Sequence, residues 1–303
     1  MAPDVDVRNL RADDLRYLLA VANTGRLVAA ADALGVNHTT VSRRIGSLER
    51  ALHARLVERG ADGWELTETG RAVAEHARPI QEALERAALA AAGDRPDALT
   101  GTIRITAPDG FGTVFAAPAL TRVRERHPNL SVELITATRQ LGLHQSGFDL
   151  AIAIGKPVTA RLFTERLGEY TLALYASDAY LAEHGDPATV EEIKKHTLVF
   201  YVDSLLQVGD LDLGKYLPAA TARFTSTNIF AQLEATRGGA GIGLLPKFLA
   251  VRAPELRRIQ ADVPPLKLSF TLAARRDSVP RPAVQVVREA LHEEVRARRE
   301  ELL

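Results

Sequence analysis

Along the first 66 residues, apolar positions recur at helical spacing in three short runs. Leu15, Leu18, Leu19 and Ala22 follow the i, i+3, i+4, i+7 rule for one buried helix face, and Asn23-Thr24-Gly25 ends that run. Leu27, Ala30, Ala31 and Leu34 repeat the rule until Gly35. Asn37 stands where a side-chain oxygen can cap a third helix, whose apolar face is Val41, Ile45, Leu48 and Leu52. Only Gly35-Val36-Asn37 joins the second helix to the third, a connection of helix-turn-helix length with glycine at the turn. Leu56-Val57 and Trp64-Glu65-Leu66 flank Asp62-Gly63, a good turn pair for a hairpin. Three helices and a hairpin predict a winged helix-turn-helix over residues 1–66.

The pattern then changes twice. Residues 67–95 are Ala-rich and read as one long helix: Val73, Ile80 and Ala87 repeat every seven residues, and Ala77 and Leu84 follow four behind, with Ala91 as the next step. That two-stripe seam suits self-pairing, with Pro79 as a local interruption. Gly93-Asp94-Arg95-Pro96-Asp97 is a break. From about residue 100, strand-like and helix-like runs alternate. Thr102–Ala107 alternates apolar and polar, Phe111–Arg126 is helical, Ser131–Ile135 alternates again, and Leu150–Ile154 is continuously apolar. Strand, helix and strand at these lengths predict βαβ units and a parallel sheet, hence an α/β class. A second set follows: strands at 171–175 and 198–201, helices near 178–183, 188–194 and 230–235, and strands at 241–246 and 267–273. A charged amphipathic helix runs to Leu303. The expected division is a head over 1–66, a linker helix over 67–95 and a two-lobed domain over 96–303. Its first lobe takes about 101–167 and 267–303, its second about 168–266.

Charge sharpens the head's role. The chain has 38 basic and 38 acidic residues, so no extended cationic tail drives binding to nucleic acid. Residues 1–95 hold 13 basic and 14 acidic residues, a net −1, yet 35–60 hold five Arg against two Glu, a net +3. The positive charge is therefore focused on the third helix and the approach to the hairpin. Opposite that helix's apolar face stand His38, Thr39, Ser42, Arg43 and Gly46. Small hydroxyls and an Arg near a helix N-terminus suit a major groove, where Arg pairs bidentately with guanine and Ser or Thr reach bases or phosphates.

The order and spacing of these blocks carry a resemblance. Ala29–Leu34, Thr40-Val41-Ser42-Arg43-Arg44-Ile45, Leu48-Glu49 and Leu66-Thr67-Glu68-Thr69-Gly70 resemble the LysR-type transcriptional regulators. The resemblance implies that the residues opening the third helix read the operator: Asn37, His38, Thr39, Thr40, Ser42, Arg43 and Arg44, with Arg55 and Arg59 serving the wing. His38 departs from the Gln often found there, and residues 60–66 lack the wing's usual Arg or Lys. Trp64 is expected to pack. The long helix becomes a dimer linker with its seam at Val73, Ala77, Ile80, Leu84 and Ala87. Residues 101 to about 295 resemble the family's effector domain, a two-lobed fold of the bacterial solute-binding-protein kind that encloses a small molecule.

In such folds ligands sit at strand C-termini and helix N-termini, where free N–H groups favour anions. The matching positions are Thr106, Asp109, Gly110 and Phe111, then Thr136 and Thr138, then Tyr201 and Asp203, then Ser226 and Asn228 beside Thr227. Phe111 and Tyr201 suit an apolar or aromatic effector; Asp109 and Asp203 suit a cationic one. Ser226 and Asn228 equally suit plain helix caps.

Other chemistry is set aside on the residues. There is no Cys, so no thiolate site or disulfide forms. Gly239-x-Gly241-x-Gly243 lies between a helix and a strand, the reverse of the dinucleotide-binding order. No nucleophile–base pair, metal site or cofactor motif stands out among the dispersed His, and no catalytic or metal-binding residue is assigned. The acidic N-terminus, Met1–Asp6, carries no leader-like apolar run, and no apolar stretch approaches the ~18 residues a membrane helix needs. The expectation is a cytoplasmic bacterial regulator rather than an enzyme. Its partners would be double-stranded DNA, a small effector, its own copies as homodimer or homotetramer, and RNA polymerase.

Overall fold

The computed structural model describes residues 10–24, 26–60, 63–91, 99–136, 148–155, 162–202, 211, 213–218, 220–276 and 278–303. They form two compact units that meet in sequence at Gly101 and Thr102.

The first unit holds α1 (Ala12–Thr24), α2 (Leu27–Leu34), α3 (His38–Leu52), β1 (Val57–Gly60), β2 (Gly63–Leu66) and α4 (Glu68–Ala91). Gly35 ends α2 in the left-handed region at φ 64°, and the N–H groups of Gly35 and Val36 return to Asp32 and Ala31. That cap turns the chain at once into α3, which Asn37 opens by accepting from Thr39 N at 3.1 Å, a bond type worth about 1 kcal/mol. Val41, Ile45 and Leu48 join Leu18, Val21, Ala30, Ala31 and Leu56 in one core. Strands β1 and β2 pair antiparallel, Val57 to Leu66 and Gly60 to Gly63. Trp64 packs against the core, as expected.

The linker helix is tied to this head. Thr67 Oγ1 donates to Arg55 O at 2.8 Å and accepts from Gly70 N at 2.9 Å. A Cβ at Gly70 would collide with the Leu56 carbonyl, so glycine alone lets α4 start this close. The seam expected at 73, 77, 80, 84 and 87 divides. Ala77 is buried in the head core with Ala74, and Val73 packs against it, because the first turns of α4 lie on α1. Those two positions are spent within the chain. Ile80 at 39% and Leu84 at 49% stay exposed, as does Ala87.

The second unit begins with β3 (Gly101–Ala107). Helix α5 (Asp109–Phe111) follows and passes through a π-turn at Gly112–Ala116 into α6 (Ala117–Arg126). Then come β4 (Leu130–Thr136), β5 (Leu150–Ile154), β6 (Leu162–Ser177), α7 (Asp178–His184), α8 (Val190–Ile193), β7 (Leu198–Phe200), α9 (Leu213–Tyr216) and β8 (Ala222–Thr225). The rest are α10 (Ile229–Arg237), β9 (Ile242–Pro246), α11 (Lys247–Ala250), β10 (Leu256–Arg258), β11 (Leu266–Arg275), α12 (Pro282–Ala297) and α13 (Arg299–Leu302). One sheet runs β4-β3-β5-β11-β6-β9-β7-β8, with β10 on β6. The pairs β3–β5, β7–β8 and β7–β9 are parallel, as βαβ units require. Strands β11 and β6 run antiparallel to their neighbours and join the two parallel halves into a mixed sheet.

Strand β6 is 16 residues long, far beyond the expected 171–175. Up to Leu172 it pairs with β11; from there it pairs with β9 and β10. Elsewhere in the sheet, just before β5, the buried Asp149 carboxylate accepts from Arg104 N of β3 at 2.8 Å and pairs with Arg281, which precedes α12. The final helix also differs from expectation. It breaks at Arg298 into α12 and α13, and Arg298 holds the break by bonding Val114 O, Glu294 and Glu301 while lying over the Phe115 ring.

Candidate DNA interface and effector cleft

Helix α3 presents two faces of opposite character. Val41, Ile45 and Leu48 anchor it, while Asn37, His38, Thr39, Ser42 and Arg43 are exposed on the other side and Thr40 is half-buried. The Asn37 carbonyl oxygen is engaged by Thr39, which leaves its amide NH2 outward as a donor. Arg43 makes no ion pair among the described residues, so its fork remains available to a guanine or phosphate. Arg55 is 84% exposed and only loosely paired with Glu49 at 3.7 Å, and Arg59 is exposed on β1 opposite Trp64.

Arg44 corrects the expectation made for it. It turns back from the reading face to Asp14, with 3.0 Å between Nη1 and Oδ1, approaches Asp13 and lies over the Tyr17 ring. Asp14 is buried at 2% exposure, and its carboxylate raises the Arg44 pKa above the usual guanidinium range. Arg44 therefore fixes α3 on α1, and its guanidinium is engaged within the head. Sequence reading missed Asp14, although a carboxylate beside Leu15 and Leu18 in the first turn of α1 was a visible signal. It also missed Glu49, whose Oε1 accepts from Leu56 N at 2.8 Å and Val57 N at 3.3 Å and ties α3 to the wing.

In the second unit several predicted positions converge. Gly110, at the start of α5, faces Ile229 of α10 and Phe248 and Leu249 of α11, so the ends of β3 and β8 deliver their helices to one place. Burial pushes the Tyr201 hydroxyl up strongly, and the Asp109 charge adds to it, which places that tyrosine and that carboxylate in one another's field. Thr106 is buried where β3 ends, and Thr136, at the end of β4, leans on Gly112. Thr138 and Asp203 lie outside the described residues.

Three of the expected contacts serve the scaffold. The Phe111 ring is fully buried, 5.5 Å from Phe115 and 4.6 Å from Phe270, and does not face an effector. Ser226 Oγ accepts from Asn228 N at 3.1 Å, and Asn228 Oδ1 accepts from Phe230 N and Ala231 N. Asn228 is the N-cap of α10, and Ser226 closes the turn just before it. Gln232, which sequence reading passed over, is buried one turn further and donates to Ser226 O at 2.8 Å.

Fold and sites together define a DNA-reading head followed by a two-lobed ligand-binding domain, the build of a single-chain transcriptional regulator. The comparisons make this specific. Residues 12–71 match the bacterial regulatory helix-turn-helix protein, lysR family, and residues 96–296 match the LysR substrate binding domain. The chain belongs to the LysR family of DNA-binding transcriptional regulators, whose second domain binds an effector. An HTH-type transcriptional regulator of Xanthomonas campestris pv. campestris is 31% identical over 184 residues, 61% of this chain and 53% of that protein. The HTH-type transcriptional activator TtdR of Escherichia coli K12 is 31% identical over 205 residues, 67% of this chain and 65% of that protein. The crystal structure of ArgP from Mycobacterium tuberculosis shares the fold at a TM-score of 0.69 with 20% identity, covering 94% of this chain and 97% of that one. Among the described residues no helix is long and apolar enough to cross a membrane.

Proposed function

We propose that this chain reads a partly palindromic operator as a homodimer or homotetramer. Each α3 inserts its N-terminal turn into a major groove. Arg43 is the base-reading residue, the Asn37 amide, His38, Thr39 and Ser42 are its flanking contacts, and Arg55 and Arg59 meet the backbone. One small head gives little specificity, whereas two heads on half-sites about one helical turn apart multiply it. The exposed half of α4, from Ile80 through Leu84 to Ala87, is the pairing surface. The observation that carries this reading is the exposed His38-Thr39-Ser42-Arg43 face on a helix fixed by Arg44, Glu49 and the core.

Effector binding works through the second unit. A small molecule lodges where Asp109 and Gly110 approach Tyr201, and closure shifts the population of dimer arrangements on DNA and so the access of RNA polymerase. Such a shift requires different effector affinity for the two arrangements. The chain does this in the cytoplasm without catalysis and without a metal or organic cofactor. A gel shift on the intergenic region beside its own gene tests the reading: a retarded complex is expected, and its absence at low salt, with and without candidate effectors, refutes it.

A further inference from the structure

The two halves of the large sheet are joined by side chains as well as by strands. Helix α11 begins at Lys247, directly after Pro246 of β9, and Pro246 pairs with Leu172, where β6 changes partners. Yet α11 packs toward the other half. The Phe248 ring lies 5.3 Å from Phe115 of the π-turn and 5.9 Å from Tyr170 of β6. The β9 half therefore reaches across the switch point through α11.

Helix α13 lies over that crossing and grips α11. Lys247 Nζ donates to Glu300 O at 3.0 Å and to Leu303 O at 2.5 Å, and Arg252, just after α11, meets Glu301 at 2.8 Å. Thr171, one residue before the switch, donates to Leu302 O at 3.3 Å, and the Leu302 side chain is buried. On the β3 half, α13 is anchored by Arg298. Its Nη1 donates to Val114 O at 2.6 Å and to Glu294 at 2.7 Å, while Nε and Nη2 hold both Glu301 oxygens at 2.7 Å. Glu301 thus stands between a guanidinium from each side, and the two hold its carboxyl down to about 2, so the bridge stays charged at neutral pH. Each such pair is weak alone; sharing one carboxylate makes them a network. The bridge also bears on the cleft, because Gly110 faces Phe248 and Leu249 of α11.

We propose that α13 is a clasp across the hinge, with Arg298, Glu301, Arg252 and Lys247 as positioning residues for the effector cleft. By holding α11 they set the angle between the two halves of the sheet, and with it the approach of α11 to Gly110. Hinge closure turns on a few residues, and contacts made at one angle bias the population toward it. The consequence for the effector rests on the cleft reading above; the clasp itself does not.

Paired labels read the angle. The chain has no Cys, so Glu125→Cys on α6 and Glu183→Cys on α7, both exposed, give two unique positions for spin labels. Pulsed dipolar spectroscopy of the full-length protein, with labelled chain diluted into unlabelled chain, reports their separation without an effector. The wild type should give one narrow distribution. Arg298→Ala, and Arg252→Ala combined with Lys247→Met, should each broaden it about twofold. Arg252→Lys, which still reaches Glu301, should keep the wild-type width. Arg237→Ala breaks exposed pairs with Glu234 and Glu255, away from α13, and should change nothing. Unchanged width in the Arg252→Ala, Lys247→Met variant, or equal broadening in Arg237→Ala, would overturn the proposal. Arg252 is exposed and Lys247 partly so, which keeps the test valid even if Arg298→Ala does not fold. No effector enters the measurement, so its failure strikes the clasp and leaves the cleft reading standing, whereas a cleft that takes no effector would leave the distances as expected.

Discussion

Two neighbouring arginines on α3 should behave differently when removed. Arg43 faces outward without an ion pair among the described residues, whereas Arg44 is held by Asp14 at 3.0 Å and by Tyr17. Arg43→Ala should cost about 1–3 kcal/mol of specific binding per head if it pairs a guanine. A dimer carries the change twice, so the loss is about 2–6 kcal/mol, from roughly 30-fold to over 10⁴-fold in affinity. Thermal unfolding should not move, because Arg43 supports nothing in the head. Arg44→Ala should do the reverse: lower the unfolding midpoint of the head by leaving Asp14 buried and unpaired, with operator affinity falling only as far as the folded fraction does. Fluorescence anisotropy with labelled operator, at several salt concentrations, reads both variants beside a denaturation curve. If Arg43→Ala kept wild-type affinity, or Arg44→Ala lost specific binding while remaining fully folded, the assignment of the reading face would be wrong.

Three further outcomes follow from the same contacts. Ile80→Asp places a charge on the exposed stripe of α4 and should dissociate the oligomer in sedimentation velocity; an unchanged oligomer would move the pairing surface elsewhere. Gly70→Ala forces a Cβ against the Leu56 carbonyl and should destabilise the head by about 1–3 kcal/mol in urea, with α4 detached from β1 in hydrogen exchange. Arg298, and secondarily Arg252, hold the Glu301 carboxyl down to about 2 from an ordinary 4.5. A depressed folded-state pKa gives stability that is present above about pH 4.5 and is lost as pH falls toward about pH 2. Glu301→Gln should therefore flatten the acid limb of the stability curve in that window, modestly because the pair is open to solvent.

The parts legible in the sequence were those set by local periodicity. Val41, Ile45 and Leu48 fall on one side of a 3.6-residue helix whatever surrounds them, and Gly35 has a left-handed φ that few other residues accept. Leu150–Ile154 reads as a buried strand because it lies between β3 and β11 with both faces covered. Long-range pairing was not legible. Arg43 and Arg44 are identical letters, and only a 100° rotation and a carboxylate 30 residues earlier separate an outward-facing arginine from an anchor. Strand β6 was seen only in its apolar second half. Its first half carries Thr164, Glu165, Arg166 and Glu169, and Glu165 is accommodated there by Arg288 of α12 at 2.8 Å. In the cleft, Phe111 looked like a ligand contact because its backbone sits at a helix start. Its ring instead completes an aromatic cluster with Phe115, Phe270 and, through them, Tyr170 and Phe248.

The claim that α3 reads DNA as one of a pair is tested most directly by a hydroxyl-radical footprint of the full-length protein on the intergenic region beside its own gene. Two protected segments spaced by about one helical turn, both lost with Arg43→Ala and both kept with Arg44→Ala once folding is matched, are the predicted result. Uniform protection that spreads with concentration and ignores Arg43 would contradict it.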